Sequence, residues 1–424
     1  MKIYFVTSKM KNINTAAGSV IMLRFIMQEL IKLGNDVACV TVFSHFNDLT
    51  ETTPFKLIEE RISSLRLFPI HWNVFKILKK YENDCDIFYI DGQFMYGGGL
   101  YRLLGGKRPV FANLIRPPLV MDEYVSPLFQ RQTGSGKFSL MKFLTGIKKK
   151  IRWFIDRFML VRLASRVDFV SAINPILNRV HYKFGLKPAA QALLIGDAYP
   201  MVETMEKEGI DEWSYRNRVG KNEKVILYFS GRMAAGKGYD LLLAAFTKVK
   251  NKEKFKLVLG GSGPEEDEVR RMIKDFSLEK YVELPGWLSK KQFFEYLKQA
   301  DIYVFSRWGA YFTSAIALNE AMVFGLPSIV PSGTGLSWTA GKSAVTFEPE
   351  NADDLARKIE LLGEDAELRK ELSRRCYERL KEPDIDPRQV VIAMNVLMKS
   401  LVVSPKNKYP LERFLNGYFG ERVD

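Results

Sequence analysis

The sequence predicts an α/β protein built from two doubly wound, Rossmann-like domains. Strand-like apolar runs alternate with helix-like stretches, and this alternation occurs in two series of similar length on either side of an irregular passage. At 424 residues the chain also exceeds what one hydrophobic core comfortably serves. We expect a first domain at residues 1–198, a linker at 199–222, a second domain at 223–395, and a C-terminal segment, 396–424, that packs back on the first domain.

Composition limits the class of protein. Hydrophobic residues make up 47% of the chain, which is enough to fill both cores. The three cysteines, Cys39, Cys85 and Cys376, lie far apart without metal-ligand spacing, as suits a reducing compartment. Met1 leads directly into a strand-like run, which leaves no room for a signal peptide, and no run of 18 uncharged apolar residues offers a membrane span. We therefore expect a cytoplasmic protein.

The first series contains six strand-like runs, at residues 3–6, 37–42, 87–90, 110–114, 167–172 and 193–195. After the first run comes a polar loop that ends in Ala17, Gly18 and Ser19, and then an amphipathic helix that stops at Gly34. Gly18 would let the backbone approach a ligand closely, although glycine is also the usual residue of tight turns. It is a candidate ligand contact.

Polar residues follow two later runs of this series. Asp91 and Gln93 come just beyond the third run, and Arg116 follows the fourth. Because parallel sheets bind ligands beyond the carboxyl ends of their strands, these residues are candidates for a substrate site. Each is equally compatible with local loop hydrogen bonds. Asp84 and Asp86 resemble an Asp-x-Asp metal motif but precede their strand, so we interpret them as a solvated turn and predict no metal site.

More than half of the net charge of +14 lies in one segment. Residues 137–166 contain nine basic residues and one acid, Asp156, interleaved with apolar residues that include Trp153. This composition is typical of a helix in an anionic membrane interface, and it predicts a protein that is peripheral on the inner face of the cell membrane. The alternative is an apolar core face with a solvated basic face. Nucleic-acid-binding patterns do not accompany the charge, so we expect no nucleic acid partner.

The second series begins at residue 225. Strand-like runs at 225–229, 255–259 and 282–287 each run into a turn that contains glycine. The loop after the first run holds Arg232 and Lys237, and a guanidinium fork with an ammonium in a glycine-rich loop can clamp a diphosphate. A loop cation pair by itself indicates little. An NAD-dependent enzyme is disfavoured because Gly-x-Gly-x-x-Gly with a following acid is absent.

The stretch 301–331 predicts a buried strand, a loop, a helix from about Thr313 or Ser314 to Gly325, and a second strand. A helix that begins at the carboxyl end of a parallel strand directs free N–H groups at the crevice and can bind a phosphate. Glu320 lies about two turns into this helix, without a basic residue three or four positions away. Such a carboxylate can accept hydrogen bonds from a ribose diol, or it can be a solvated residue of an ordinary helix.

Together these pieces resemble the family 4 glycosyltransferases, retaining group 1 type enzymes with the GT-B fold of two Rossmann-like domains facing across a cleft. GRMAAGKGYDLLLAAF resembles the family's Gly-Arg-x4-Lys-Gly loop and helix, and LVLGGSGPEEDEVRRM its Gly-x-Gly-Pro turn. VELPGWLSKKQFFEYLKQADIYVFSR resembles its glycine-containing strand and following helix, and NEAMVFGLPSIV its Glu-Ala-Met-x-x-Gly-x-Pro segment. The match covers about residues 225–330, and the first half agrees in layout alone.

The resemblance implies a UDP- or GDP-linked sugar as donor, a glycan or lipid-linked acceptor, and transfer without cofactor or metal. By this resemblance Arg232 and Lys237 bind the donor diphosphate and Glu320 binds its ribose. Further donor contacts are expected at Gly18, Gly231, Gly286, Trp287, Leu288, Ala315 and Ile316. The physics agrees, because cations and a helix N-terminus stabilise the charge that develops on a departing diphosphate.

Two features depart from the family pattern. Phe312 stands eight positions before Glu320, where the family usually has an acid that contacts sugar hydroxyls. Many members also carry a histidine in the first domain, and none of His45, His71 and His181 follows a suitable strand. Substitutes for that histidine are Asp91, Gln93, Asn113 and Arg116.

Two functions therefore stay open. One is a hexosyltransferase-like enzyme of cell-surface polysaccharide or glycoconjugate synthesis. The other is a GT-B-fold nucleotide- or glycan-binding protein without transfer activity that acts as a partner or scaffold. Phe312 and the missing histidine favour the second function, whereas Arg232, Lys237 and Glu320 favour the first.

Overall fold

The structure is a computed structural model, and it describes residues 1–12, 18–62, 68–116, 140–307 and 315–404. The described residues form two compact units. One unit comprises the chain up to Tyr199 together with the segment that begins at Pro383, and the other unit begins at Pro200 and ends at Glu382. Each unit is built around one parallel sheet.

The first unit's described strands are β1 (Lys2–Thr7), β2 (Asp36–Thr41), β3 (Lys56–Glu59), β4 (Ile87–Asp91), β5 (Val110–Leu114), β6 (Phe169–Ala172) and β7 (Leu193–Leu194). They form one parallel sheet in the order β3-β2-β1-β4-β5-β6-β7. The central strands are buried, as expected for a parallel sheet with both faces covered. Because the strand order reverses between β1 and β4, the ends of these two strands flank the usual ligand crevice of such a sheet.

The described helices of the chain up to Tyr199 are α1 (Gly18–Lys32), α2 (Phe68–Tyr81), α3 (Met95–Leu103), α4 (Leu140–Phe158) and α5 (Pro175–Phe184). Local signals fix the ends of α5. The Asn174 side chain accepts a hydrogen bond from the Leu177 N–H, Pro175 occupies the first helical position, and Gly185 ends the helix with a positive φ of 107°.

The second unit's described strands are β8 (Val225–Ser230), β9 (Phe255–Gly260), β10 (Val282–Gly286), β11 (Ile302–Val304), β12 (Ser328–Pro331) and β13 (Ala344–Phe347). They form a parallel sheet in the order β10-β9-β8-β11-β12-β13. The order reverses between β8 and β11, so the loops that follow these two strands border the crevice of this sheet. Two Rossmann-like sheets are thus confirmed.

The described helices of the second unit are α6 (Met201–Glu208), α7 (Tyr239–Lys248), α8 (Glu266–Asp275), α9 (Lys290–Gln299), α10 (Ile316–Val323), α11 (Gly335–Ala340), α12 (Ala352–Glu364) and α13 (Ala366–Leu380). Apolar side chains from the sheet, α7 and α12 form a core around Leu242, Phe246 and Ile359. A capping box between Ser289 and Gln292 fixes the start of α9.

The last described helix, α14 (Pro387–Val403), packs against α1 in the first unit. The Asn35 side-chain amide donates to Asn395 Oδ1 at 3.0 Å, and the Gly196 N–H donates to the Asp384 carbonyl. The second unit therefore ends well before residue 395, where we placed its boundary. Of the predicted C-terminal segment, residues 405–424 lie outside the described residues.

The predicted linker, 199–222, is likewise part of a folded unit. It contains α6, and beyond that helix Arg218 forms an ion pair with the buried Asp301 and donates to the Ala300 carbonyl. These contacts attach the segment to the second unit, to which residues from Pro200 onwards belong.

Candidate functional site

Three glycine-containing loops at the carboxyl edge of the second sheet are hydrogen-bonded into one floor. The Gly231 N–H donates to the Gly260 carbonyl at 3.1 Å, and the Gly261 N–H donates to the Gly286 carbonyl at 2.7 Å. Gly261 has a φ of 120°, and a Cβ there would lie 1.9 Å from the Gly231 carbonyl oxygen. Only glycine allows this approach. The glycine of the sequence motif at this position is therefore required for the loops of the floor to pack together.

The cation-bearing loop that follows β8 is fixed at both ends. The Tyr239 hydroxyl lies 2.6 Å from the carbonyl oxygen of Gly231, next to the floor. At the other end Gly238 has a φ of 84°, and a Cβ there would lie 2.0 Å from the Ser306 carbonyl oxygen. The Ser306 hydroxyl donates to the Gly238 carbonyl at 2.7 Å. The loop is therefore held against the residues that follow β11.

Three cations lie together at this edge. Burial, then the charges of Arg307 and Arg232, lower the pKa of Lys237 to about 8. Burial also lowers the pKa of Arg307, whose Nε is buried without a hydrogen-bond partner. In the described part of the chain none of the three forms an ion pair, and residues 308–314, WGAYFTS, contain no acid. The cluster is suited to bind an anion carrying several charges.

Sequence reasoning placed Arg232 and Lys237 in a site and missed Arg307. Arg307 could have been found from its position three residues beyond the end of β11, the strand that pairs with β8 where the strand order reverses. Two sequence-based observations lie outside the described residues. They are Phe312, which stands where the family usually has an acid, and the predicted start of the helix near Thr313 or Ser314.

Glu320 is buried on α10 and forms an ion pair with Lys290, the first residue of α9. We expected an unpaired carboxylate about two turns into its helix. That expectation is corrected, because α10 begins at Ile316, about one turn before Glu320, and because the partner is thirty residues away in sequence. The Lys290 ammonium also lies 4.8 Å from the centre of the Phe294 ring, which helps to hold it.

The start of α10 lies at the same edge of the sheet, after β11. Ala315 is its N-cap residue, with an extended backbone, and Ile316 is its first residue. An alanine side chain cannot accept a hydrogen bond from the first-turn N–H groups. The Leu318 N–H already donates to the Ala315 carbonyl, so the Ile316 and Ala317 N–H groups are the ones that can serve a bound phosphate, as predicted for Ala315 and Ile316.

The loop after β10 provides an exposed aromatic surface. Gly286 has a φ of 76°, and the Trp287 side chain that follows is 72% exposed. Leu288 packs over the floor, because a Cβ at Gly260 would lie 2.6 Å from its Cδ1. An exposed indole beside a rigid floor is suited to stack on a flat heterocycle.

In the first unit the structure brings together Asp91, Asn113 and Arg116. Asp91 ends β4 directly opposite Asn113 on β5. Burial raises the pKa of Asp91 to about 7, against the opposing effects of the Arg116 charge and a hydrogen bond with Asn113. Its Oδ1 is buried without a hydrogen-bond partner. Asp91 can thus exchange a proton near neutral pH.

The other predicted residues of the first unit occupy less defined surroundings. Gln93 is exposed in the turn after β4, and Gly18 is the first residue of α1. Arg116 is exposed, and its carbonyl oxygen lies 2.8 Å from the Nε2 of the buried His181. Burial lowers the pKa of His181 to about 4, so its ring is neutral at neutral pH. The ring therefore holds the Arg116 backbone by a hydrogen bond and does not act as an acid.

Comparison with known proteins identifies the family of one part of the chain. Residues 211–379 match the family model described as "Glycosyl transferases group 1". The chain carries a group 1 glycosyltransferase domain. This glycosyltransferase domain includes the whole of the cation cluster, the glycine floor and Glu320. For residues 211–379 the predicted family is therefore confirmed at the level of group 1.

Mannosylfructose-phosphate synthase from Agrobacterium fabrum is 31% identical to the chain over 152 residues, which are 33% of this chain and 33% of that protein. The chain aligns with about a third of the length of the curated relatives it matches. The shared part supports the assignment of the glycosyltransferase domain.

Solved glycosyltransferase-type structures resemble the chain over nearly its whole length. Sucrose-phosphate synthase from Thermosynechococcus elongatus has a TM-score of 0.65 at 18% identity and covers 95% of this chain and 99% of its own. Anabaena HepE in complex with UDP and glucose has a TM-score of 0.64 at 16% identity and covers 94% of this chain and 99% of its own. At these identities the likeness shows the fold alone, and it confirms the GT-B class. It extends over both units, whereas the family match lies within the second unit.

Proposed function

We propose that this protein is a retaining, metal-independent glycosyltransferase that moves a sugar from a UDP- or GDP-linked donor to a glycan or lipid-linked acceptor in cell-surface polysaccharide or glycoconjugate synthesis. The observation that carries the proposal is a cluster of three cations that form no ion pair among the described residues, on a glycine floor within a group 1 glycosyltransferase domain. A cluster of this kind costs stability unless an anion binds it, and the diphosphate of a nucleotide sugar supplies that anion.

Each part of the second unit then has a role toward the donor. Arg232 and Lys237 bind the diphosphate, together with the N–H groups at the start of α10. Glu320 accepts hydrogen bonds from the ribose, and the ion pair with Lys290 holds its carboxylate in place. Trp287 stacks on the base. The likeness to HepE, whose structure contains UDP, favours a nucleoside diphosphate as the ligand.

A thermal-shift panel of UDP, GDP, UDP-glucose and GDP-mannose tests the proposal. A ligand that binds only the folded protein stabilises it by about 2.7 kcal/mol at a hundred times its dissociation constant, so the UDP or the GDP pair should raise the melting temperature. Lys237→Ala should abolish that shift. Lys248→Ala is the matched control, since Lys248 lies at the far end of α7 and pairs with Asp353. If none of the four nucleotides stabilises the protein, the proposal is wrong.

We also propose that α4 brings the enzyme to an anionic membrane surface, where lipid-linked acceptors lie. Exposed apolar side chains repeat along one face of this helix: Ile147, Ile151, Phe154, Ile155 and Phe158. Among them Phe154 is 67% and Phe158 is 60% exposed, so this face is not part of the core. Lys148 and Lys150 are exposed on the same helix. An exposed apolar stripe flanked by cations supports insertion at a headgroup boundary.

Other residues of the predicted membrane segment, 137–166, are not exposed or are not described. Met159, Leu160 and Leu163 are buried in the first unit, so they belong to the core. Residues 137–139 lie outside the described residues. Among the described residues, no helix combines the length and the apolarity needed to cross a bilayer.

A further inference from the structure

The cluster contains one more positive charge, that of Arg307, than the diphosphate of a nucleotide sugar requires. The diphosphate of a nucleotide sugar carries one negative charge on each phosphate, and Arg232 and Lys237 already supply two positive charges. We propose that Arg307 binds the third negative charge, which appears on the diphosphate as the sugar leaves, so that the site favours the free nucleoside diphosphate over the nucleotide sugar. This inference rests on the proposed function.

The fold places Arg307 at the diphosphate loop. Strands β8 and β11 are hydrogen-bonded neighbours that run in the same direction, so the residues that follow them emerge at the same edge. A Cβ at Gly238 would lie 2.9 Å from the Arg307 backbone nitrogen, which sets Arg307 against the turn that carries Lys237. Of the two cations that act on Lys237, Arg307 has the stronger effect.

No partner within the described residues accounts for this charge. Arg307 has no ion pair there, and its Nε is buried without a hydrogen-bond partner. The seven residues that follow it contain no acid, and the carboxylate of Glu320 on the adjacent helix is paired with Lys290. A partly buried guanidinium in such a position is unfavourable until an anion reaches it.

The reaction itself supplies that anion. The bond between the anomeric carbon and the outer phosphate oxygen breaks, and its electron pair stays on the oxygen. The acceptor hydroxyl oxygen forms the new bond to the carbon, and its proton is released to the medium. The diphosphate thereby goes from two negative charges to three. A cation that is unmatched before this step and matched after it lowers the barrier, because it binds the developing charge more strongly than the ground state.

Calorimetric titration of UDP and UDP-glucose tests the inference, or of GDP and GDP-mannose if the thermal-shift panel selects that pair. At a pH of about 7.5 the terminal phosphate of the free diphosphate is mostly doubly ionised, since its second pKa is about 6. The parent protein should bind UDP more tightly than UDP-glucose. Arg307→Gln should weaken UDP binding by roughly tenfold or more, and UDP-glucose binding by less than about threefold. Arg307→Lys should keep part of the preference.

The matched control is Arg271→Gln, which removes the same charge from an exposed position on α8 and should change neither affinity. The unliganded Arg307→Gln protein should melt no lower than the parent, because the substitution relieves repulsion with Lys237. If it does melt lower, Arg307→Lys decides: a preference for UDP over UDP-glucose greater than that of Arg307→Gln supports the inference, and a preference no greater than that contradicts it.

Two results would overturn the inference while leaving the proposed function intact. Equal weakening of UDP and UDP-glucose would make Arg307 part of the clamp for the ground-state diphosphate. Selective weakening of UDP-glucuronate, with UDP unaffected, would mean that Arg307 recognises an anionic sugar. Failure of the parent to bind any of these nucleotides would instead remove the proposed function itself, so the two failures are distinguishable.

Discussion

Lys237 shows how the neighbours of one residue set its chemistry. Its pKa of about 8 lies well below the ordinary value near 10.5, because burial and two adjacent cations disfavour its charged form. Folding therefore costs free energy at any pH below about 8, where the lysine is protonated in both states, and this cost disappears as the pH rises to the unfolded value. Binding of a diphosphate removes the same cost by supplying opposite charge.

We predict that nucleoside diphosphate affinity falls as the pH rises above about 8. Unliganded Lys237 is then neutral and must take up a proton to bind, so affinity should drop by up to tenfold per pH unit. Arg232 and Arg307 are the charged groups that act on Lys237. Calorimetry at pH 8.5 in two buffers of different ionisation enthalpy should register proton uptake. Lys237→Arg should bind without that uptake, and an equal uptake in this variant would assign the proton to another group.

Glu320 carries a second prediction at this scale. Glu320→Gln should weaken nucleoside diphosphate binding by roughly 1.5–3 kcal/mol, the usual worth of a hydrogen bond to a charged group, because the amide accepts less strongly from the ribose. Inorganic pyrophosphate, which has no ribose, should bind as before. Calorimetric titration of both ligands measures this difference.

The ion pair with Lys290 complicates Glu320→Gln, since the variant leaves an ammonium without its partner. Lys290→Gln, alone and combined with Glu320→Gln, separates the two effects. If pyrophosphate binding falls along with nucleotide binding in Glu320→Gln, Glu320 acts on the diphosphate region and not on the ribose.

Asp91 gives a prediction with the opposite sign. Its pKa is raised to about 7, so the folded protein holds a proton that the unfolded chain loses near its ordinary pKa, and stability falls as the pH rises from about 4 to 7. Asp91→Asn removes this penalty. The variant should therefore melt higher than the parent at pH 8 and equally at pH 4, as measured by circular dichroism. A variant that melts lower at pH 8 would show that the ionised carboxylate has a stabilising partner.

At the scale of elements, α4 is a helix whose apolar side faces outward. We predict that Phe154→Ser with Phe158→Ser, and separately Lys148→Gln with Lys150→Gln, each reduces sedimentation with anionic liposomes. Each basic residue is worth about 1 kcal/mol near an anionic surface. Added salt should release the parent partially, because the Debye length shrinks from roughly 10 Å at 0.1 M to 3 Å at 1 M while apolar insertion persists.

A matched control for this test is Lys207→Gln with Lys221→Gln, which removes two exposed charges from the second unit. It should sediment like the parent. The substitutions on α4 should leave the melting temperature unchanged, since the side chains are exposed. If the parent does not sediment with liposomes, the exposed stripe binds some other surface and the acceptor need not be lipid-linked.

Sequence patterns predicted elements wherever a local signal was strong. The buried strands of both sheets were found from apolar runs, whereas β3, an edge strand of four residues with polar ends, gave no such run. The glycine loops were found because they contain glycines such as Gly238 and Gly261, at which a Cβ would collide with a neighbouring backbone. Arg307 and Lys290 were missed because their roles depend on neighbours about 70 and 30 residues away, and no periodicity within one helix or loop reports such pairs.

At the scale of the whole molecule, α14 completes the first unit although the second unit precedes it in the chain. We predict that Asn395→Ala destabilises the protein by about 1–3 kcal/mol, because the buried Asn35 amide loses an acceptor. Urea denaturation measures the change. Val396→Ala, at an exposed neighbouring position on α14, should cost little. Alanine has the highest helix propensity, so an equal loss of stability in the two variants would mean that side-chain packing, and not the hydrogen bond, was measured.

The hydrogen bond between Asn35 and Asn395 spans 360 residues, and it has a consequence for synthesis on the ribosome. The first unit emerges first but lacks its closing helix until the whole of the second unit has been translated. Meanwhile the second unit, which is continuous from Pro200 to Glu382, can fold. The surface of α1 that α14 covers stays open to water and chaperones for that interval. A fragment that stops at Tyr199 would keep it open permanently, so recombinant expression of this unit calls for a linker that rejoins residues 383–404.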